Sequence, residues 1–130
     1  MRLIGLDQDP FDGADVVLRP WQEATQIEEL SHCDIGLAPL YDGPWERGKA
    51  GLKAIQYMAA GLPVLAAKVG SLPDIVVHGQ TGFLYQDGAE FIDFAEQLAA
   101  EEKLRMGEAG RLRAASCYSM HQWIDGVQRV

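Results

Sequence analysis

Residues 46 to 56 read Glu46-Arg47-Gly48-Lys49-Ala50-Gly51-Leu52-Lys53-Ala54-Ile55-Gln56, ahead of an apolar run that closes at Gly61-Leu62-Pro63. Three of the chain's 11 basic residues, Arg47, Lys49 and Lys53, fall in this short stretch. The pattern predicts a helix from about Lys49 to Ala60, stopped by Gly61 as a left-handed cap and by Pro63. Cations at the head of a helix oppose its dipole, at a cost of ~0.3–1 kcal/mol each. A docked anion reverses that sign, because free backbone N–H groups, the dipole and the side-chain charges then all act on it together. Gly48 and Gly51 fit the same use, since a missing Cβ lets a phosphate come close to the backbone. On a continuous helix Lys49, Lys53 and Gln56 share one face, with Ile55, Met58 and Ala59 turned to the other. Such a stripe suits a nucleoside diphosphate, with cations on the diphosphate and an amide further along for hydroxyls. The same residues also read as an ordinary solvated face, with the glycines ending a loop.

The stripe needs a sheet to hold it, and the rest of the chain is punctuated accordingly. Short apolar runs at Leu3 to Leu6, Asp15 to Leu18, Asp34 to Leu40, Pro63 to Val69 and Phe83 to Tyr85 read as strands. Helical patterns lie between and after them, over Trp21 to His32 with Ile27 and Leu30 as its apolar stripe, and over Ala89 to Ala115 with a break near Met106 to Gly110. Ser71-Leu72-Pro73-Asp74 resembles a capping box opening a short helix to about Val77, Tyr41 to Gly48 is a polar connection, and Met120 to Val130 is a last amphipathic piece. Alternation of this kind predicts an α/β fold, a Rossmann-like parallel sheet with helices on both faces. Ligands of such sheets sit at the carboxyl ends of the strands, here the loops after Leu6, Leu18, Leu40 and Val69. A GxGxxG turn after the first strand and a Walker A sequence are both absent, which weakens the dinucleotide and P-loop readings.

Bulk properties narrow the function further. The 130 residues suit one domain spanning 1–130, and the net charge of −8 argues against nucleic acid or a broad anionic membrane surface as partner. No apolar run approaches the ~20 residues of a bilayer span, and the opening residues do not form a secretory signal. Cys33 and Cys117 lie far apart, and His32, His78 and His121 are scattered without ligand spacing. Neither a disulfide nor a metal site is therefore expected, no cofactor is implied, and a reducing cytoplasmic location is the default.

Asp34-Ile35-Gly36-Leu37-Ala38-Pro39-Leu40, the run from Gly48 through Gln56-Tyr57-Met58-Ala59-Ala60-Gly61-Leu62-Pro63-Val64, Val69-Gly70-Ser71 and Gly79-Gln80-Thr81-Gly82-Phe83-Leu84 occur in order. Together they resemble the C-terminal, donor-binding half of GT-B-type glycosyltransferases, most of all the family 4 retaining enzymes that use nucleotide sugars. The resemblance implies that Gly48 to Gln56 overlays the family's motif of two glutamates separated by seven residues. There the first Glu meets the donor hexose, backbone amides meet the diphosphate and the second Glu holds the ribose. Here Gly48 and Gln56 stand at those two positions, as in a Gly-Lys-x-Gly-x-Lys branch of the family. Gln56 can still hydrogen-bond a ribose diol, and Glu46 or Asp42 is the candidate sugar contact. Arg47, Lys49, Gly51 and Lys53 then belong to the donor site. Trp21 is placed near the nucleobase, or else serves as a hydrophobic staple. Gly70 and Ser71 approach the diphosphate or the sugar, or else form a simple cap.

The same likeness implies parts that this chain lacks. These are an N-terminal acceptor-binding domain, which would carry the acceptor-side catalytic groups and any peripheral membrane contact, and the first βα unit of the donor half. The expected function is donor binding within a hexosyltransferase, with the isolated chain inactive. Met120 to Val130 resembles the terminal helix that leans toward the missing domain, leaving Trp123 and Ile124 exposed. Two readings from other classes compete. A non-catalytic nucleotide or phosphosugar binder is favoured by the two absent glutamates. A receiver-like signalling domain, suggested by Asp7, Asp9 and Lys68, fails because strand Ile35 to Leu40 offers no acceptor aspartate at its end.

Overall fold

Val64-Leu65-Ala66-Ala67 carries no polar side chain on either face, and it forms a strand buried along its whole length. The computed structural model describes residues 2–4, 15–20, 22–98 and 102–121. They fall into two compact units, Met1–Cys33 and Asp34–Val130. In the first, β1 (Arg2–Ile4) pairs in parallel with β2 (Val17–Arg19), Leu3 opposite Leu18. A 3-10 turn at Glu23–Thr25 leads into α1 (Gln26–Ser31). Only half of the expected apolar stripe is used there, since Leu30 is buried while Ile27 is 82% exposed.

The second unit contains β3 (Gly36–Ala38), α2 (Pro44–Arg47), α3 (Leu52–Ala59), β4 (Val64–Ala67), α4 (Leu72–Ile75), β5 (Gly82–Tyr85), α5 (Gly88–Gln97) and α6 (Lys103–Cys117). Its strands are all parallel in the order β3-β4-β5, with Leu37 opposite Leu65 and Leu65 opposite Phe83. Side chains alternate across β4 as the pleat requires. Val64 and Ala66 pack with Ala54 and Met58 of α3, Leu72 and Ile75 of α4 and Ala114 of α6. On the opposite face Leu65 and Phe83 meet Phe91 and Phe94 of α5, with Leu98 and Met106. The expected Rossmann-like arrangement, a parallel sheet covered on both faces, is therefore present.

Three local readings are corrected. The stretch expected to be a polar connection holds a one-turn helix, α2, because Pro44 supplies a preset φ at its first position. No break occurs at Met106 to Gly110, since α6 runs through it. The two glycines that suggested a break instead permit packing: a Cβ on Gly107 would stand 2.2 Å from the Gly61 carbonyl oxygen, and one on Gly110 would touch Met58. Ser71 precedes α4 without forming a side-chain cap, and α4 stops at Ile75 rather than Val77.

The far end of α4 is held from another element. Arg113 of α6 donates from Nε to the Ile75 carbonyl at 2.9 Å and from Nη2 to the Asp74 carbonyl at 2.8 Å. The Val76 N–H closes on the Leu72 carbonyl at 2.9 Å, and the two Arg113 bonds take the Asp74 and Ile75 carbonyls at the end of the turn. Arg113→Ala is expected to cost about 1–2 kcal/mol, the lower end of the range for bonds to a charged donor because the group is partly solvated. Arg113→Lys, with one ammonium in place of a fork, should recover only part of it. Urea midpoints of the three proteins check this.

Candidate functional site

The loops that follow β3 and β4 meet at the carboxyl end of the sheet. Gly70, just past β4, has φ +59°, and a Cβ there would lie 3.1 Å from the Arg47 carbonyl oxygen and 3.2 Å from Arg47 Cα and the Glu46 carbonyl oxygen. Its lack of a side chain thus lets the β4–α4 connection lie directly on the backbone of α2. One residue later, Ser71 Oγ donates to the Lys49 carbonyl at 2.8 Å. Gly51 caps α3 at φ +62°, ψ 23°, a conformation that costs residues with a Cβ about 1–2 kcal/mol. Arg47, Gly48, Lys49, Gly51, Gly70 and Ser71, singled out from two separate stretches of sequence, are brought to one place.

Gly51 is also where the expected lysine stripe changes. Its left-handed turn ends one helix-like path and starts another, so Lys49 lies outside α3 and the i, i+4 relation between Lys49 and Lys53 does not hold. Lys53 and Gln56, three apart within α3, do share a side, with Gln56 half-buried. The buried face of α3 is Ala54 and Met58, and Ala59 is exposed. At the head of α3 the amides of Ala54 and Ile55 turn back to the Gly51 carbonyl at 3.0 and 3.5 Å. The amides of Ala50, Gly51, Leu52 and Lys53 have no backbone acceptor among the described residues. Four donors at the start of a helix, with Lys49 and Lys53 in the same short stretch, make this end of α3 electropositive.

The three cations are not equivalent. Arg47 Nε donates to Asp42 Oδ1 at 2.7 Å, and that hydrogen bond holds the Asp42 carboxyl below the usual carboxylate range. Both side chains are more than half exposed, at 64% and 61%, so water screens the pair. Lys49 and Lys53 are exposed and form no ion pair among the described residues. Glu46 folds its carboxylate back over Gly43, at the head of its own turn. Trp21 lies outside the described residues, as do Asp7, Asp9, Trp123 and Ile124. Trp45, which carried no expectation from sequence, stands 79% exposed on α2.

The described side chains gathered here offer charge and hydrogen-bond donors. The hydroxyl brought to the α3 head, on Ser71, is turned onto a peptide carbonyl. Among the described residues, no group of three or more His, Cys, Asp or Glu side chains is placed to hold a metal ion. No helix among them is long and apolar enough to cross a membrane. What the sequence did not reveal is α2 and the Gly70-Ser71 contact with residues 46–49. The signal available was Gly70, a glycine shortly after a buried strand.

Comparison with known proteins agrees with this architecture. The family model described as glycosyl transferases group 1 matches residues 6–101. A D-inositol 3-phosphate glycosyltransferase of Streptomyces avermitilis is 49% identical over 74 residues, which is 52% of this chain and 15% of that protein. Sucrose-phosphate synthase from Thermosynechococcus elongatus superposes with a TM-score of 0.73 at 24% identity, covering 88% of this chain and 29% of its own. Anabaena Alr3699/HepE, solved in complex with UDP and glucose, gives a TM-score of 0.66 at 20% identity, over 88% of this chain and 32% of its own. The chain therefore spans less than a third of each protein it matches here.

Proposed function

Given that the chain belongs to the group 1 glycosyl transferases and has the Rossmann-like fold of a GT-B half, we propose that it binds the donor of a hexosyl transfer. The donor is a nucleoside diphosphate sugar, and the reaction proceeds with retention in the cytoplasm. The observation that carries this is the joining of the α3 head, with its free amides and Lys49 and Lys53, to Gly70 and Ser71 at the carboxyl end of the sheet. The presence of UDP and glucose in a protein of the same fold supports the ligand class. As the glycosidic bond breaks, negative charge gathers on the leaving diphosphate, and donors fixed in advance stabilise it without reorganising. Lysines and amides fill that role with no metal. Asp42 and Glu46 meet sugar hydroxyls through the oxygens they do not use within the α2 turn. Gln56 takes the ribose. Groups for the acceptor come from an N-terminal domain outside this chain, so the 130 residues alone turn over nothing.

Calorimetric titration with UDP, GDP and ADP tests the site. A Lys49→Ala/Lys53→Ala variant is expected to bind the preferred diphosphate about tenfold or more weakly, from the loss of two charge-assisted contacts. Binding of the bare nucleoside should not change, and the gap between variant and parent should narrow as salt rises. Equal diphosphate affinity in variant and parent would refute the assignment. A non-catalytic nucleotide or phosphosugar module is the second reading, favoured by the local engagement of both carboxylates, Asp42 with Arg47 and Glu46 folded over Gly43. Transfer of sugar by a protein containing this chain together with an acceptor domain decides between them.

A further inference from the structure

We infer that Ser71 is a positioning residue for the donor diphosphate, acting through the Lys49 peptide rather than touching the ligand. The inference rests on the diphosphate reading of the α3 head. The Ser71 hydroxyl has one proton to donate, and it is given to the Lys49 carbonyl at 2.8 Å, across 22 residues of sequence. Holding that carbonyl fixes the plane of the Lys49–Ala50 peptide, and with it the direction of the Ala50 N–H, the first of the four free amides. The contact is tight on both sides. Gly70 lies on the backbone of Glu46 and Arg47, and the place a Gly51 Cβ would occupy is 3.1 Å from Ser71 Oγ and 2.5 Å from Ile75 Cδ1. The connection after β4 thus seats the loop after α2, and the hydroxyl sets its final rotation. A fan of amides aimed in advance spares an anion the cost of ordering them on binding.

Amide chemical shifts and nucleotide titrations of the parent chain, Ser71→Ala and Ser71→Thr test this. In S71A the signals of Ala50 to Lys53 should move or broaden with no nucleotide present. Affinity for the preferred diphosphate among UDP, GDP and ADP should drop about fivefold, the weight of one hydrogen bond. Nucleoside affinity should hold, and S71T, which keeps the hydroxyl, should restore both signals and affinity. Lost affinity with an unchanged nucleotide-free spectrum would overturn the inference and make Ser71 a direct ligand. So would an S71A spectrum and affinity identical to the parent's. If the parent binds none of the three diphosphates, the donor reading fails, while moved Ala50 to Lys53 signals in S71A still support Ser71 as the residue that sets this loop and unmoved ones refute it.

Discussion

Replacing Gly107 by alanine is expected to destabilise the protein by about 2 kcal/mol or more, although the same change in an ordinary helix interior stabilises by about 1 kcal/mol. Gly107 sits within the 15-residue α6, where its backbone freedom is a cost. A Cβ there would stand 2.2 Å from the Gly61 carbonyl oxygen and 3.1 Å from its carbon, both backbone atoms of the turn between α3 and β4. Neither can swing aside as a side chain would, so α6 must lift away from α3 and lose buried contacts around Met58 and Ala114. The sign is decided by comparison with Gly110, one turn further along the same helix. There the nearest atom to an added methyl is Met58 Cγ at 3.4 Å, ordinary contact. Gly110→Ala should therefore be neutral or mildly stabilising. Thermal melts separate the two, with G107A melting roughly 5–10 °C lower. A G107A protein as stable as its parent would mean that α6 does not lie against Gly61.

Alanine at Gly51 is expected to damage stability and ligand binding together. The residue occupies φ +62°, and a Cβ there would meet Ile75 Cδ1 at 2.5 Å and Ser71 Oγ at 3.1 Å. Backbone strain of about 1–2 kcal/mol adds to displacement of a buried isoleucine, for a loss of roughly 2–3 kcal/mol. Two other glycines divide that sum. Gly61 has φ +77° with nothing within 4 Å, so Gly61→Ala should show the backbone part alone. Gly48 has φ −84° and meets only the Trp45 carbonyl oxygen at 3.5 Å, so Gly48→Ala should cost little. Urea unfolding gives this ranking, and diphosphate titration should show a loss of affinity for G51A beyond that of G61A. Equal behaviour of G51A and G48A would place the α3 cap elsewhere.

Much of the architecture was legible because it follows from local chemistry. Gly61 and Pro63 end α3, and the uninterrupted apolar run Val64 to Ala67 had to be a strand buried on both faces. The matches from Gly48 to Val64 and from Gly79 to Leu84 carried the family. Legibility failed where a residue's role is set by something distant in sequence. Gly107 reads as a helix breaker until Gly61 is placed against it. Ser71 followed by Leu72-Pro73-Asp74 reads as a cap, yet its hydroxyl donates to the Lys49 carbonyl and accepts no bond from the α4 amides. The two lysines read as one helical face because no sequence rule announces that Gly51 turns left-handed between them. That Arg47 pairs with Asp42, five residues earlier, was equally invisible before α2 was placed.

α4 is one turn long, far below the length at which a helix sustains itself in water. It persists because Ser71, the residue just before it, is fastened to the loop of Lys49 and its trailing carbonyls to Arg113. A strut pinned at both ends transmits displacement instead of absorbing it. Fraying of α6 would slacken the loop of Lys49 without any residue of that loop being altered, and damage to the helix that holds Arg113 is expected to surface as weakened diphosphate binding.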